Sequence, residues 1–118
     1  MNMKSHSTSA LVAAALATVF LAGTAAAADV DAAKLWTKNC QTCHGADGKG
    51  QTKSGEKAGV KYLTSAEVKG KLDKAKALAS MKDGIKEKDS DKMAMKSYAD
   101  KLSAEEMDAL ATYTLSFK

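Results

Sequence analysis

Residues 40–44 read Cys-Gln-Thr-Cys-His, and they hold both cysteines of the 118-residue chain and one of its two histidines. The chain around them sorts into helices and loops. Upstream, Val30 to Asn39 has Ala32, Ala33 and Trp36 at helical spacing, with Lys34 and Lys38 on the other side, which predicts a helix running into Cys40. Downstream, Gly45 to Gly59 carries five glycines among Asp, Lys, Ser and Thr and reads as loop. Thr64 followed by Glu67 has capping-box spacing. The helix it predicts carries Val68, Leu72, Ala75 and Ala79 on one stripe and stops at Gly84. The mixed charges from Lys86 to Lys92 read as a solvated loop. A last helix is announced by Ser103 with Glu106, a second capping box, and by Leu102 and Met107 as a hydrophobic staple. Its apolar face is Met107, Leu110, Ala111 and Thr114, flanked by Tyr113 and Phe117. No strand-like alternation is visible, so the expected class is all-α.

Composition narrows the function. The 18 basic residues are all lysine, and the net charge is a modest +4. Nucleic-acid readers favour arginine for bidentate base and phosphate contacts, so no nucleic-acid partner is expected. Lys4 followed by the apolar run Ala10 to Gly23 and the small residues Ala25 to Ala28 has the order of a secretory signal peptide. Residues 1–28 are therefore expected to be removed after Ala28, leaving an exported domain over 29–118 without a membrane span. The rival reading is a retained anchor, since Ala10 to Ala28 is long enough to cross a bilayer. Removing 28 residues from 118 leaves 90, with His44 the only histidine and with Trp36, Tyr62, Tyr98, Tyr113 and Phe117 the only aromatics. So small a domain with so few large apolar side chains needs a cross-link, a metal or a cofactor to complete its interior.

The Cys-Gln-Thr-Cys-His run offers several chemistries. A disulfide uses the two cysteines and leaves the histidine unexplained. A thioredoxin-type redox pair wants a preceding strand and a βαβ context, which the pattern lacks. Zinc needs four ligands, and carboxylates would have to complete the set. Covalent haem attachment uses all three residues: Cys40 and Cys43 form thioethers and His44 binds the iron from one side. Gly45 to Thr52 lacks the lysine of a phosphate-binding loop, and Asp83 to Asp91 lacks the spacing of a calcium loop. Bis-histidine ligation within 29–118 is impossible. The soft donors for the other side of the iron are Met81, Met93, Met95 and Met107, with Lys96 a further nitrogen donor. Met81 and Met107 read as core.

With these residues in view, the chain from 29 to 118 resembles the class I, monohaem c-type cytochromes. The order agrees: attachment motif, loop, middle helix, ligand methionine and closing helix. Ala32 and Trp36 match the first-helix pair that crosses the closing helix in that family, and Leu110 and Tyr113 match the closing-helix pair. The family's distal methionine stands three residues before an aromatic, which selects Met95, with Tyr98 following, over the runner-up Met93. The chain departs from the family in having no proline. The histidine's usual backbone acceptor must be replaced, and a carbonyl between Gly48 and Gly59 is the expected substitute.

The resemblance implies a small cytochrome c-like fold whose N- and C-terminal helices cross around one covalently attached haem c. It implies His44 as proximal and Met95 as distal iron ligand, with no catalytic residues. The expected function is a soluble periplasmic, or otherwise exported, monomeric carrier of single electrons. Its partners would be redox proteins docking near the haem edge, acidic ones steered by lysines such as Lys38, Lys49, Lys53, Lys57 and Lys96. The alternative is a small haem enzyme or gas sensor, peroxidase-like, with an open or labile distal position.

Overall fold

The computed structural model describes residues 29–118, so the expected leader and its cleavage after Ala28 lie outside the described residues. Helix α1, Ala32–Asn39, begins where the Asp31 carboxylate accepts from Lys34 N–H at 3.0 Å. Its one buried residue is Trp36. After a break at Cys40, the single turn α2, Gln41–His44, carries the rest of the motif and closes at Gly45, whose φ of 77° favours glycine.

The segment expected to be loop throughout contains a further helix, α3, Lys53–Ala58. Its glycines act as helix terminators and spacers rather than breakers. Thr52 caps the start by accepting from Gly55 N–H at 2.8 Å, and Gly59 ends it in the left-handed conformation. The middle helix is also different from the expectation: it is two helices. Ser65, not Thr64, caps α4, Ala66–Lys71, and Asp73 caps α5, Lys74–Asp83. Leu72 between them is extended, with φ −93° and ψ 123°. Asp73 competes with continuous helix by offering its carboxylate to Lys76 N–H at 2.8 Å. The break shifts the helical phase, so Ala77 and Met81 face the core while Ala75 and Ala79 are exposed.

The domain is helical as expected, except that two short strands, not legible in the sequence, are present. β1, Ile85–Lys86, pairs antiparallel with β2, Met93–Met95, setting Ile85 opposite Met95 and Lys86 opposite Met93 across a register irregularity. Met-Ala-Met is too short an alternation to be legible as a strand. The connection between the strands is the charged loop as read, with Asp89 at φ 59°.

Helix α6, Ala104–Leu115, follows the sequence expectation closely. Ser103 Oγ accepts from Glu106 N–H at 3.1 Å and the Glu106 carboxylate accepts from Ser103 N–H at 2.8 Å. Leu102 and Met107 are both buried, as a staple requires. Both α1 and α5 pack on α6. The Trp36 ring lies 5.6 Å from that of Tyr113 and 4.7 Å from that of Phe117, so the terminal helices meet through aromatic side chains. The buried apolar core is Trp36, Ala77, Met81, Leu102, Met107, Leu110 and Ala111. That is a thin interior for a domain of this length, and it flanks a cavity rather than filling the molecule. Among the described residues, no helix is long and apolar enough to cross a membrane.

Candidate functional site

A cavity of about 480 Å³ opens beside the Cys-Gln-Thr-Cys-His turn, a size usual for a cofactor site. Cys40, Cys43 and His44 line one side, and Met93, Met95 and Tyr98 line the cavity as well. Val60, Leu63, Leu72 and Ile85 supply apolar wall. A second cavity of about 110 Å³ shares Cys40, His44, Leu63, Leu72, Ile85 and Met95 with the first and reaches Trp36, Met81 and Leu110 of the core. The break at Leu72 and the β1–β2 pair thus have a function: they bring Leu72, Ile85 and the two methionines to one cavity.

Both cysteines are free thiols. Burial, reinforced by the neighbouring Cys43, pushes the Cys40 thiol up to about 11. A thioredoxin-type pair needs a thiol shifted the other way, so that rival reading loses its chemistry. Zinc fares no better, since among the described residues no three His, Cys, Asp or Glu side chains gather to hold a metal ion. Burial lowers the pKa of His44, which keeps the imidazole neutral and its lone pair available. Its Nδ1 is buried without a hydrogen-bond partner. The expected acceptor between Gly48 and Gly59 is therefore not in place. The adjacent carbonyl of Gly45 is taken by Trp36 Nε1–H at 3.0 Å.

The loop after the motif supports its backbone instead. Gly50 N–H donates to His44 O at 2.8 Å, and the Thr52 hydroxyl donates to Cys43 O at 2.9 Å. Gly55 is buried so close to the Cys43 carbonyl that a Cβ there would collide with it. Sequence reasoning missed Thr52 and Gly55 because they were read as loop composition; Thr52 as a cap with Glu56 in the first turn and Gly59 as the stop was the available signal.

The methionines separate by position. Met81 and Met107 are buried core residues, as read, although Met81 also reaches the smaller cavity. Met93 is 40% exposed. Met95 is partly buried, packs against the core and lines both cavities, whereas Met93 lines only the larger. Of the lysines expected near the site, Lys96 lines the larger cavity; Lys38, Lys49, Lys53 and Lys57 do not, and Lys61, which was not singled out, does. Tyr98 donates its hydroxyl hydrogen to Asn39 O at 2.9 Å, a contact the sequence did not reveal.

Comparison with known proteins agrees with this geometry. The cytochrome c family model matches residues 30–118. No curated protein matches the chain. Among solved structures, the KustC0563 c-type cytochrome is 30% identical with a TM-score of 0.64, over 75% of this chain and 99% of that one. A structure of a Tyr-to-Phe mutant of Kustc0563 is also 30% identical, with a TM-score of 0.62, over 75% of this chain and 100% of that one.

Proposed function

The chain belongs to the cytochrome c family, whose members are electron-transfer haem proteins, and from that premise we propose that it carries single electrons on one His/Met-ligated haem c outside the cytoplasm. The observation that carries the reading is one apolar cavity lined by Cys40, Cys43 and His44 of the motif and by Met95. The residues fit the group. Two unpaired thiols are available for thioether bonds, and a neutral imidazole with an unpartnered ring nitrogen stands beside them. The wall carries no carboxylate, and its only charged residues are Lys61 and Lys96, which suits a cofactor with two propionates.

In this reading Cys40 and Cys43 would hold the haem, His44 would be the proximal ligand and Met95 the distal one, with Met93 left to pack in the cavity wall. Haem so held would supply reversible one-electron chemistry, at a potential raised by the methionine sulfur. The chain's own part is to keep both axial positions filled and the site dry. A filled distal position gives peroxide or a gas no ready place to bind, so the function is transfer rather than catalysis. The chain has one Cys-x-x-Cys-His run and no other cysteine, which supports a single haem.

c-Type cytochromes are generally exported, and the leader-like residues 1–28 support a periplasmic location. Lys61 and Lys96, exposed at the mouth, supply positive potential for an acidic redox protein to dock against the monomer. Absorption spectra of the matured protein test the reading. A c-type reduced spectrum with a far-red sulfur-to-iron band in the oxidised form is expected; a high-spin oxidised spectrum without that band would replace electron transfer with an open-iron function.

A further inference from the structure

Asn39 is the last residue of α1 and stands directly before Cys40. A helix leaves its final carbonyls without intrahelical donors. Here the N–H groups of Cys43 and His44 both turn to Cys40 O, at 3.2 and 2.9 Å. The Asn39 carbonyl accepts from the Tyr98 hydroxyl instead, across 59 residues of sequence. The backbone of Tyr98 is bound elsewhere. Its N–H donates to Met81 O at 2.7 Å, near the end of α5, and its carbonyl accepts from Lys101 and Leu102 N–H, both at 3.0 Å. Tyr98 lines the larger cavity, and Met95 stands three residues before it.

We propose that Tyr98 is a positioning residue: its hydroxyl, bonded to Asn39 O, fixes the Met95 segment against the attachment turn and so sets how readily Met95 yields the iron to an outside ligand. The inference rests on Met95 being the distal ligand. Covalent attachment through Cys40 fixes the haem relative to Asn39, so a bond from Tyr98 to Asn39 ties the two sides of the iron together. The segment is also held by the β1–β2 ladder, only two to three residues long, by Tyr98 N–H donating to Met81 O and by the Ser97 hydroxyl donating to Lys82 O, but none of these bonds reaches the attachment turn. Removing the hydroxyl leaves the backbone bonds of Tyr98 intact. The segment keeps its conformation and loses its direct tie to the motif.

The test is an imidazole titration of the oxidised, haem-loaded protein, followed by loss of the far-red sulfur-to-iron band. Tyr98→Phe should keep the band and the helical circular dichroism, yet bind imidazole about fivefold more tightly, the factor matching the net contribution of one neutral hydrogen bond. Asp31→Ala, which loses comparable stability by removing the N-cap of α1 at the end opposite Asn39, should bind imidazole as the parent does. An unchanged imidazole affinity in Tyr98→Phe would overturn the proposal. So would an equal tightening in Asp31→Ala, since that would make the effect one of global stability. Failure of the underlying ligand assignment looks different. If the parent lacks the far-red band, or if Met95→Leu retains it, Met95 is not the ligand and the proposal goes with it.

Discussion

Gly55 and Gly70 both lie inside short helices, yet replacing each by alanine should move stability in opposite directions. At Gly55 an added Cβ would sit 2.5 Å from the Gly50 carbonyl oxygen and 2.8 Å from Thr52 Oγ1, and closer still to the Cys43 carbonyl. Two of these three neighbours are backbone atoms, so the helix or the attachment turn must shift. Overpacking of this kind costs about 1–3 kcal/mol. Loss of the Thr52 to Cys43 hydrogen bond adds about 0.5–1.5 kcal/mol, and the better helix propensity of alanine returns about 1 kcal/mol. The net loss is about 1–3 kcal/mol, or roughly 5–20 °C in Tm for a domain of this size. At Gly70 nothing lies within 4 Å of the added Cβ, and no positive φ is present. Alanine there should stabilise by about 0.4–1 kcal/mol, chiefly by restricting the unfolded chain. Thermal unfolding of the haem-loaded proteins, followed by far-ultraviolet circular dichroism, reads both changes. A Gly55→Ala protein as stable as its parent would refute the claim that α3 is wedged against the Cys43 carbonyl.

Met95→Leu should abolish the far-red band, lower the reduction potential and admit carbon monoxide to reduced iron, while Met93→Leu should leave all three nearly unchanged; potentiometry and gas titration distinguish them, and the reverse pattern would move the ligand to Met93. A Cys40→Ser, Cys43→Ser chain matured without haem should lose most of its helical circular dichroism, because the seven-residue core cannot replace the cofactor; native-like helix content would contradict this.

Features whose signals are local were legible in the sequence. The Ser103–Glu106 box and the Leu102–Met107 staple lie within six residues of one another, and α6 formed as read. The attachment motif is equally local. The errors share a cause: capping side chains were read too coarsely. Thr52 and Asp73 each begin a helix, one inside a glycine-rich stretch and the other inside a helical stripe. Long-range contacts left no trace in the pattern. The pairing of Ile85 with Met95 and the bond from Tyr98 to Asn39 depend on the folded path of the chain, so the cavity could be expected but its far wall could not be drawn. The family resemblance selected Met95 from four methionines; what the structure adds is that Met93 is exposed and that Met95 lines both cavities.

The thin core and the restraints around the cavity have one physical consequence. Trp36 packs against Tyr113 and Phe117, approaches the His44 ring at 5.6 Å and holds the Gly45 carbonyl, so one side chain belongs to both the helix crossing and the proximal wall. Met81 likewise sits in the core while its carbonyl anchors Tyr98. A substitution at Trp36 therefore changes the helix crossing and the surroundings of His44 together. Trp36→Phe makes the point measurable. It keeps an aromatic ring at the crossing and loses the indole donor, freeing the carbonyl of Gly45, the residue next in sequence to His44, whose Nδ1 has no partner. Hydrogen bonding at Nδ1 strengthens the imidazole as a donor, which favours oxidised iron, so the reduction potential should fall while the Met95 band persists. A potential that rises, or one that falls only together with loss of the band, would show that Trp36 acts through packing alone.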